Sequence, residues 1–193
     1  MKRVLDLLIA SISLILIMPL LIVIAFVIKF TDKGPVFFKQ DRVGQNGKIF
    51  TLVKFRTMIV AHDGNSISIK GENRITKPGA FLRSYKIDEI PELWNIIKGE
   101  MSFVGPRPDV PGFADKLTDE NLNILKLKPG LTGPATLKYF NEDEILAKVK
   151  DPKKYNDDFI YPDKVKINLD YYYHQSIWFD LKIIWKTIFK LTS

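Results

Sequence analysis

The sequence predicts an α+β fold: a small β-hairpin and several helices mounted on a kinked, re-entrant N-terminal membrane helix, with amphipathic interfacial helices. Three observations carry that prediction. Two runs rich in Phe, Val and Ile flank an Asn46-Gly47 pair, a strong hairpin-turn signal. Downstream, short helical stretches are bounded by Pro and Gly. Finally, both ends of the chain combine long apolar or aromatic stretches with Lys and Arg, a pairing that suits a membrane.

Residues 4–28 are apolar apart from Asp6, Ser11 and Ser13, and by hydropathy belong in a bilayer. Lys2-Arg3 precedes the run as in a signal peptide, but no small-residue cleavage pattern follows it, so removal is not expected. Pro19 interrupts the run; it lacks an N–H and collides with the carbonyl four residues earlier, which predicts a kink. The two pieces would be roughly 22 Å and 15 Å long at ~1.5 Å per residue. Neither crosses a hydrocarbon core of about 30 Å. Both flanks are basic, with Lys2 and Arg3 before and Lys29, Lys33 and Lys39 after, whereas a spanning helix concentrates that charge on one side. A spanning and a re-entrant helix are both compatible with a proline; length and charge favour the re-entrant one. The chain thus divides into a membrane helix over 1–28 and a second unit over 29–193.

In that unit, 36–40 and 49–55 read as the hairpin strands. Residues 61–79 read as a loop with a short strand at 67–69. A helix is expected from Pro78 to about Lys86, and another over 91–98 closed by Gly99. Three prolines make 105–112 an ordered turn region, 121–127 has helical character, 129–134 is a Pro/Gly loop, and 142–149 is a surface helix. Over 178–191, Lys182, Lys186 and Lys190 fall on one helical face and Leu181, Ile184, Trp185, Ile188 and Phe189 on another, the pattern of a helix lying in a membrane interface or packed on the core.

Composition narrows the chemistry. The absence of Cys excludes disulfides and thiolate catalysis, and with only His62 and His174 a histidine metal site or triad is poorly supplied. Reactive groups must be carboxylates, hydroxyls, Lys or Arg. The net charge of +7 is uneven: residues 1–56 carry +6, 57–163 carry −2 and 164–193 carry +3. Basic ends around an acidic middle fit an anionic membrane surface better than a nucleic acid, since the acidic part is where the motifs lie.

The densest motif is FLRSYKIDEIPELWNIIKGEMSFVGPRP over 81–108. Asp88 and Glu89 precede Pro91, which favours a first helical turn; an anionic phosphate or a metal–phosphate complex is favoured at such an end. Taken alone, the window also fits simple N-capping by Asp88, with Glu89 and Glu92 favouring the helix dipole. Arg107 sits between two prolines, its backbone fixed, presenting a fork that suits a diphosphate. Lys54, Arg56 and Arg83 are further cations; four such groups beside two carboxylates would serve a metal-assisted phosphoryl transfer.

These motifs, with KRVLDLLIA, GPVFFKQDRVGQNGKIFTLVKFRTM, KPGLTGPA and LDYYYHQSIWFDLKIIWKT, closely resemble the bacterial sugar transferase family of monotopic phosphoglycosyl transferases over nearly the whole chain. The resemblance implies the minimal catalytic form of an enzyme that moves a sugar 1-phosphate from a UDP-sugar to polyprenyl (undecaprenyl) phosphate, the first membrane step of O-antigen, capsule, exopolysaccharide or glycan assembly. It implies that Asp88 is the nucleophile of an Asp88-Glu89 dyad, with Mg²⁺ held at the dyad; Lys54, Arg56, Arg83 and Arg107, read from the residues themselves, are expected to bind the substrate phosphates and nucleotide. It places a helix kink at Pro19, with the catalytic domain on the cytoplasmic face of the bacterial inner membrane. Two departures stand out. Met18 replaces the Ser common before the kinking Pro. PGLTGPATLKYFN replaces a PGxTGWAQxxGR pattern, so that Lys138 is expected to supply the missing cation. A homodimer is compatible with the sequence; so is a membrane-surface adaptor without catalysis.

Overall fold

In the computed structural model, residues 1–31, 34–59 and 75–192 are described, with the side chain of Thr192 excepted. The expected strand at 67–69 lies outside the described residues. The class is α+β, as the sequence predicts.

Helix α1 (Lys2–Thr31) is one 30-residue α-helix with Pro19 inside it. It is long and apolar enough to cross a membrane. Most of its Leu, Ile, Val and Phe side chains are exposed, and only Asp6, Ala10, Ile24 and Ile28 are buried. Those four lie near the two ends of the helix, and both ends rest on the same body. Ala10 packs with Leu93 and Ile96, while Ile24 and Ile28 pack with Phe55 and Leu82.

The hairpin pairs β1 (Phe37–Val43) with β2 (Ile49–Phe55), Phe37 opposite Phe55 and Val43 opposite Ile49. Asn46 and Gly47 take positive φ at the turn, as the Asn-Gly pair requires. The first strand runs three residues beyond the expected 36–40, because Val43 N–H donates to Asp109 O and carries the strand under the 105–109 turn. α2 (Lys77–Ser84) is capped by Thr76, whose Oγ1 accepts from Gly79 N–H at 3.0 Å. α3 (Glu92–Lys98) ends at Gly99 in the left-handed conformation, φ 87°. Arg3 donates to Ile96 O and to Ile97 O at 2.7 Å, so a cation from α1 satisfies open carbonyls at the end of α3.

β3 (Ser102–Val104) pairs in parallel with β4 (Gly130–Thr132), which puts one strand where the sequence suggested a loop and the other in a stretch just before the expected 105–112 turn, where no element was expected. The pair depends on glycine. A Cβ on Gly105 would meet Lys128 O at 2.2 Å, and one on Gly130 would meet Gly105 N at 2.1 Å. Asp6, the one acid in the first apolar turns, accepts from Ser102 Oγ at 2.8 Å and Phe103 N–H at 3.3 Å.

The chain continues through α4 (Pro134–Lys138), α5 (Glu142–Ala147), α6 (Pro152–Tyr155), α7 (Tyr161–His174) and α8 (Ile177–Thr192). α8 has three faces. Asp180 and Ile183 are buried, Trp178, Leu181, Trp185, Ile188 and Phe189 are exposed, and the three lysines are exposed along the third. Lys2 clamps its buried face: its ammonium pairs with Asp180 and donates to Val104 O at 2.9 Å. Tyr171, packed beside them, donates to the same carboxylate.

Candidate active site

The dyad sits on a single 3-10 turn, Ile87–Glu89, between α2 and α3. It is not in the first turn of α3, which starts at Glu92 with Pro91 as its cap. Lys86 takes a left-handed conformation, φ 55°, and ends the α2 segment sharply, which turns the chain into the dyad. Strained backbone of this kind is characteristic of functional sites.

Glu89 is buried and fully committed. Arg107 donates to Glu89 Oε1 and, at 3.4 Å, to Oε2, and Lys54 donates to Oε1 at 3.0 Å. Burial alone would raise this carboxyl, but the Arg107 guanidinium and the Lys54 ammonium hold it well below the usual range. Arg107 in turn is held above its own usual value by Glu89. Lys54 also pairs with Glu92 at 3.1 Å.

Asp88 differs in each respect. Its Oδ1 is buried and makes no hydrogen bond. Burial, reinforced by the neighbouring Glu89 charge, raises its pKa to about 6 against the pull of Lys54, Arg83 and Lys86. A buried unpaired carboxylate oxygen costs free energy in the resting protein, and such cost is retained where a ligand or a reaction takes the oxygen up.

Position is fixed by long-range scaffolding. Asn95, fully buried, donates to Thr51 O at 2.8 Å and accepts from Val53 N–H at 3.2 Å, which holds β2 and therefore Lys54 against α3. Arg107 is set by the β3–β4 pair: Gly105 N–H donates to Thr132 O at 3.0 Å and Gly130 N–H to Pro106 O at 2.8 Å. The dyad opens into a cavity of about 1010 Å³ lined also by Lys54, Arg56, Arg83 and Arg107. Its walls include Ile9, Ser13 and Ile17 of α1 and Ile184, Ile188 and Leu191 of α8.

A sequence model described as bacterial sugar transferase matches residues 1–193. The chain belongs to the bacterial sugar transferase family. Among its relatives, it is 38% identical over 98% of its length to a UDP-glucose:undecaprenyl-phosphate glucose-1-phosphate transferase of Klebsiella pneumoniae. It is 34% identical over 97% of its length to a protein of the same name from Caulobacter vibrioides, of which it covers 68%. The same identity and share relate it to the exopolysaccharide production protein ExoY of Rhizobium meliloti, of which it covers 83%. The chain spans about two fifths of the length of several curated relatives, 39% of the Klebsiella protein among them.

Within this sugar transferase fold, four of the five cations expected at the site line the cavity of the dyad. Arg83 pairs with Asp143 at 3.0 Å. Arg56 is buried, and its guanidinium fills the space where Gly34 lacks a side chain. Lys138 does not line that cavity. It pairs with Asp163 at 2.7 Å and lines a separate shallow groove with Lys182, Lys186 and Lys190, because α4 turns its C-terminal residue toward α7 and α8.

Among the described residues no group of three or more His, Asp or Glu side chains forms a metal site. Mg²⁺ typically takes one or two carboxylates and completes its shell with phosphate oxygens and water. The unpartnered Asp88 Oδ1 fits that role; Glu89, with both oxygens engaged, fits it less well.

Around the dyad stand further residues to which the sequence reading gave no role in the site. Glu92 follows Asp88 by four positions, one helical turn, and is buried on Lys54. Arg42 donates to Pro108 O at 3.2 Å, and Asp109 is raised to about 6 by burial. Helical spacing could have found Glu92. Arg42 lies 66 residues before Pro108, whose carbonyl it meets, and no local signal connects it to that segment or to the adjacent Asp109.

Proposed function

We propose that this chain is a phosphoglycosyl transferase that moves a sugar 1-phosphate from a UDP-sugar to polyprenyl phosphate. The observation that carries the reading is the Asp88 carboxyl, raised and with its Oδ1 buried and unpartnered, in the wall of a cavity also lined by Lys54, Arg56, Arg83 and Arg107. The names of the relatives point to the same reaction.

Asp88 attacks the β-phosphorus of the donor. The bond to the bridging oxygen breaks, UMP leaves with that oxygen, and the sugar phosphate is held on the Asp88 carboxylate as an acyl phosphate. A phosphate oxygen of the polyprenyl phosphate then attacks the same phosphorus and displaces the carboxylate, giving a polyprenyl diphosphosugar and free Asp88. Arg107 and Lys54 neutralise charge on the transferring phosphoryl group and keep Glu89 ionised. Glu89 fixes the guanidinium fork that faces the phosphates. Mg²⁺, held through Asp88 and the donor diphosphate, would supply further charge neutralisation.

The acceptor is a lipid, and α1 is read as the element that meets it. Both ends of α1 pack on one body while its middle is exposed and apolar, which supports a re-entrant helix with both ends on the cytoplasmic face. The exposed Trp178, Trp185 and Phe189 of α8 support an interfacial position for that helix. The decisive experiment is UMP release from a panel of UDP-sugars by the detergent-solubilised chain with Mg²⁺ and undecaprenyl phosphate. Release that needs both Mg²⁺ and Asp88 supports the reading. Folded protein that releases no UMP from any donor overturns it.

A further inference from the structure

The cavity of the dyad is lined by a second set of polar groups, to which the phosphate chemistry assigns no role. Arg42 Nε, Thr136 Oγ1 and Asn168 Oδ1 are buried and make no hydrogen bond, Tyr161 Oη is buried beside Asp109, and all four residues line this cavity. They come from β1, α4 and α7, and α4 packs directly on α7. Asp109, two residues beyond Arg107, lines the same cavity beside Tyr161 and Arg42.

Buried polar atoms without partners are rare in native proteins. Here they share one cavity with a reacting carboxylate. Their chemistry also differs from that of the cations around the dyad. Lys54, Arg83 and Arg107 form a cationic rim suited to phosphates. The second set mixes a guanidinium, two hydroxyls, a carboxamide and a carboxylate, which offer donors and acceptors in roughly equal number. Such a set matches vicinal hydroxyls, each of which donates and accepts, and lacks the surplus of positive charge that a phosphate selects.

We infer that Thr136, Tyr161 and Asn168, with Asp109 and Arg42, form the subsite that reads the hydroxyl-rich glycosyl ring of the donor. The inference rests on the transferase reading and adds to it the residues that select the sugar. Thr136 lies in the stretch that departs from the family pattern, so this departure changes sugar recognition and not the phosphate chemistry. A site built to hydrogen-bond a hydroxyl discriminates strongly against ligands lacking it, because its own buried groups are left unpaired.

The test measures equilibrium binding to the full-length chain carrying Asp88→Asn, which prevents turnover. The probes are UMP, UDP, and whichever of UDP-glucose, UDP-galactose and UDP-N-acetylgalactosamine binds this parent most tightly. Thr136→Val and Tyr161→Phe, added singly, are expected to weaken the UDP-sugar roughly tenfold, the size of one lost buried hydrogen bond, and to leave UMP and UDP within about twofold. Thr136→Ser restores the hydroxyl and the affinity. Retained UDP binding shows that each variant is folded. Equal loss for UDP and UDP-sugar, or no loss for either, overturns the assignment. A folded parent that binds no UDP-sugar overturns the transferase reading itself, and the inference with it.

Discussion

Asp88 and Glu89 are adjacent in sequence and on one 3-10 turn, yet their surroundings push them in opposite directions. Glu89 is held well below the usual carboxylate range by Arg107 and Lys54, whereas burial and the Glu89 charge raise Asp88 to about 6. One carboxylate is a fixed anchor for cations; the other is a stored, unpaired acceptor. Separated titrations of neighbouring groups commonly mark a division of roles.

The raised Asp88 sets a pH profile. Only the ionised carboxylate attacks phosphorus, so kcat/KM should fall about tenfold per pH unit below about 6 and level off above 7. Initial rates of UMP release between pH 4.5 and 8.5 check this.

The same shift has a cost in stability. A native pKa above the unfolded value means that the native state binds the proton more tightly; the stabilisation is complete below about pH 4 and is lost as pH rises through about 6. Asp88→Asn should therefore be inactive yet more stable than the parent by about 1–3 kcal/mol at pH 7.5, with the advantage vanishing near pH 4. Denaturant titrations at the two pH values measure it.

Arg107→Ala leaves Glu89 buried with Lys54 as its remaining cation. Because the guanidinium retains 38% side-chain exposure, the expected loss is about 1–3 kcal/mol, below that of a fully buried pair. Activity should fall far more than stability, and Arg107→Lys should restore stability without restoring the two-pronged geometry. Thermal melts beside kcat values separate the two effects.

Gly105→Ala probes the scaffold. The added Cβ would meet Lys128 O at 2.2 Å, a backbone atom held by the β3–β4 pair. Expected are a destabilisation of about 1–3 kcal/mol and loss of turnover through displacement of Arg107. By contrast, Lys138→Ala should change turnover less than twofold, since that side chain pairs with Asp163 outside the cavity.

How much of this was legible in the sequence follows from the range of each interaction. The hairpin turn needs only the positive φ of Asn46 and Gly47, and the end of α3 needs only Gly99; such local rules are written in neighbouring residues. Motif order singled out Asp88, Glu89 and Arg107, but not the pairing of Glu89 with Arg107, which depends on β3 finding β4 across 26 residues with three residues in each strand. Strands that short carry no periodicity. Lys138 was read as filling a vacancy in a motif because it is the nearest cation in sequence; the turn of α4, which pairs it with Asp163, has no local signature. Lys2 and Arg3 were read as membrane-flanking charges; the folded chain also uses them to tie α1 to α8 and α3.

The central claim is that Asp88 carries the sugar phosphate. The most direct measurement is the intact mass of the chain after incubation with its UDP-sugar and Mg²⁺ in the absence of polyprenyl phosphate, followed by peptide mapping. The account predicts a mass increase of one sugar phosphate on the peptide containing Asp88, stoichiometric release of UMP, loss of the adduct when polyprenyl phosphate is added, and no adduct in Asp88→Asn. UMP release that occurs only when the lipid acceptor is present, with no adduct on Asp88 at any time, would contradict it and point to direct transfer between the two substrates.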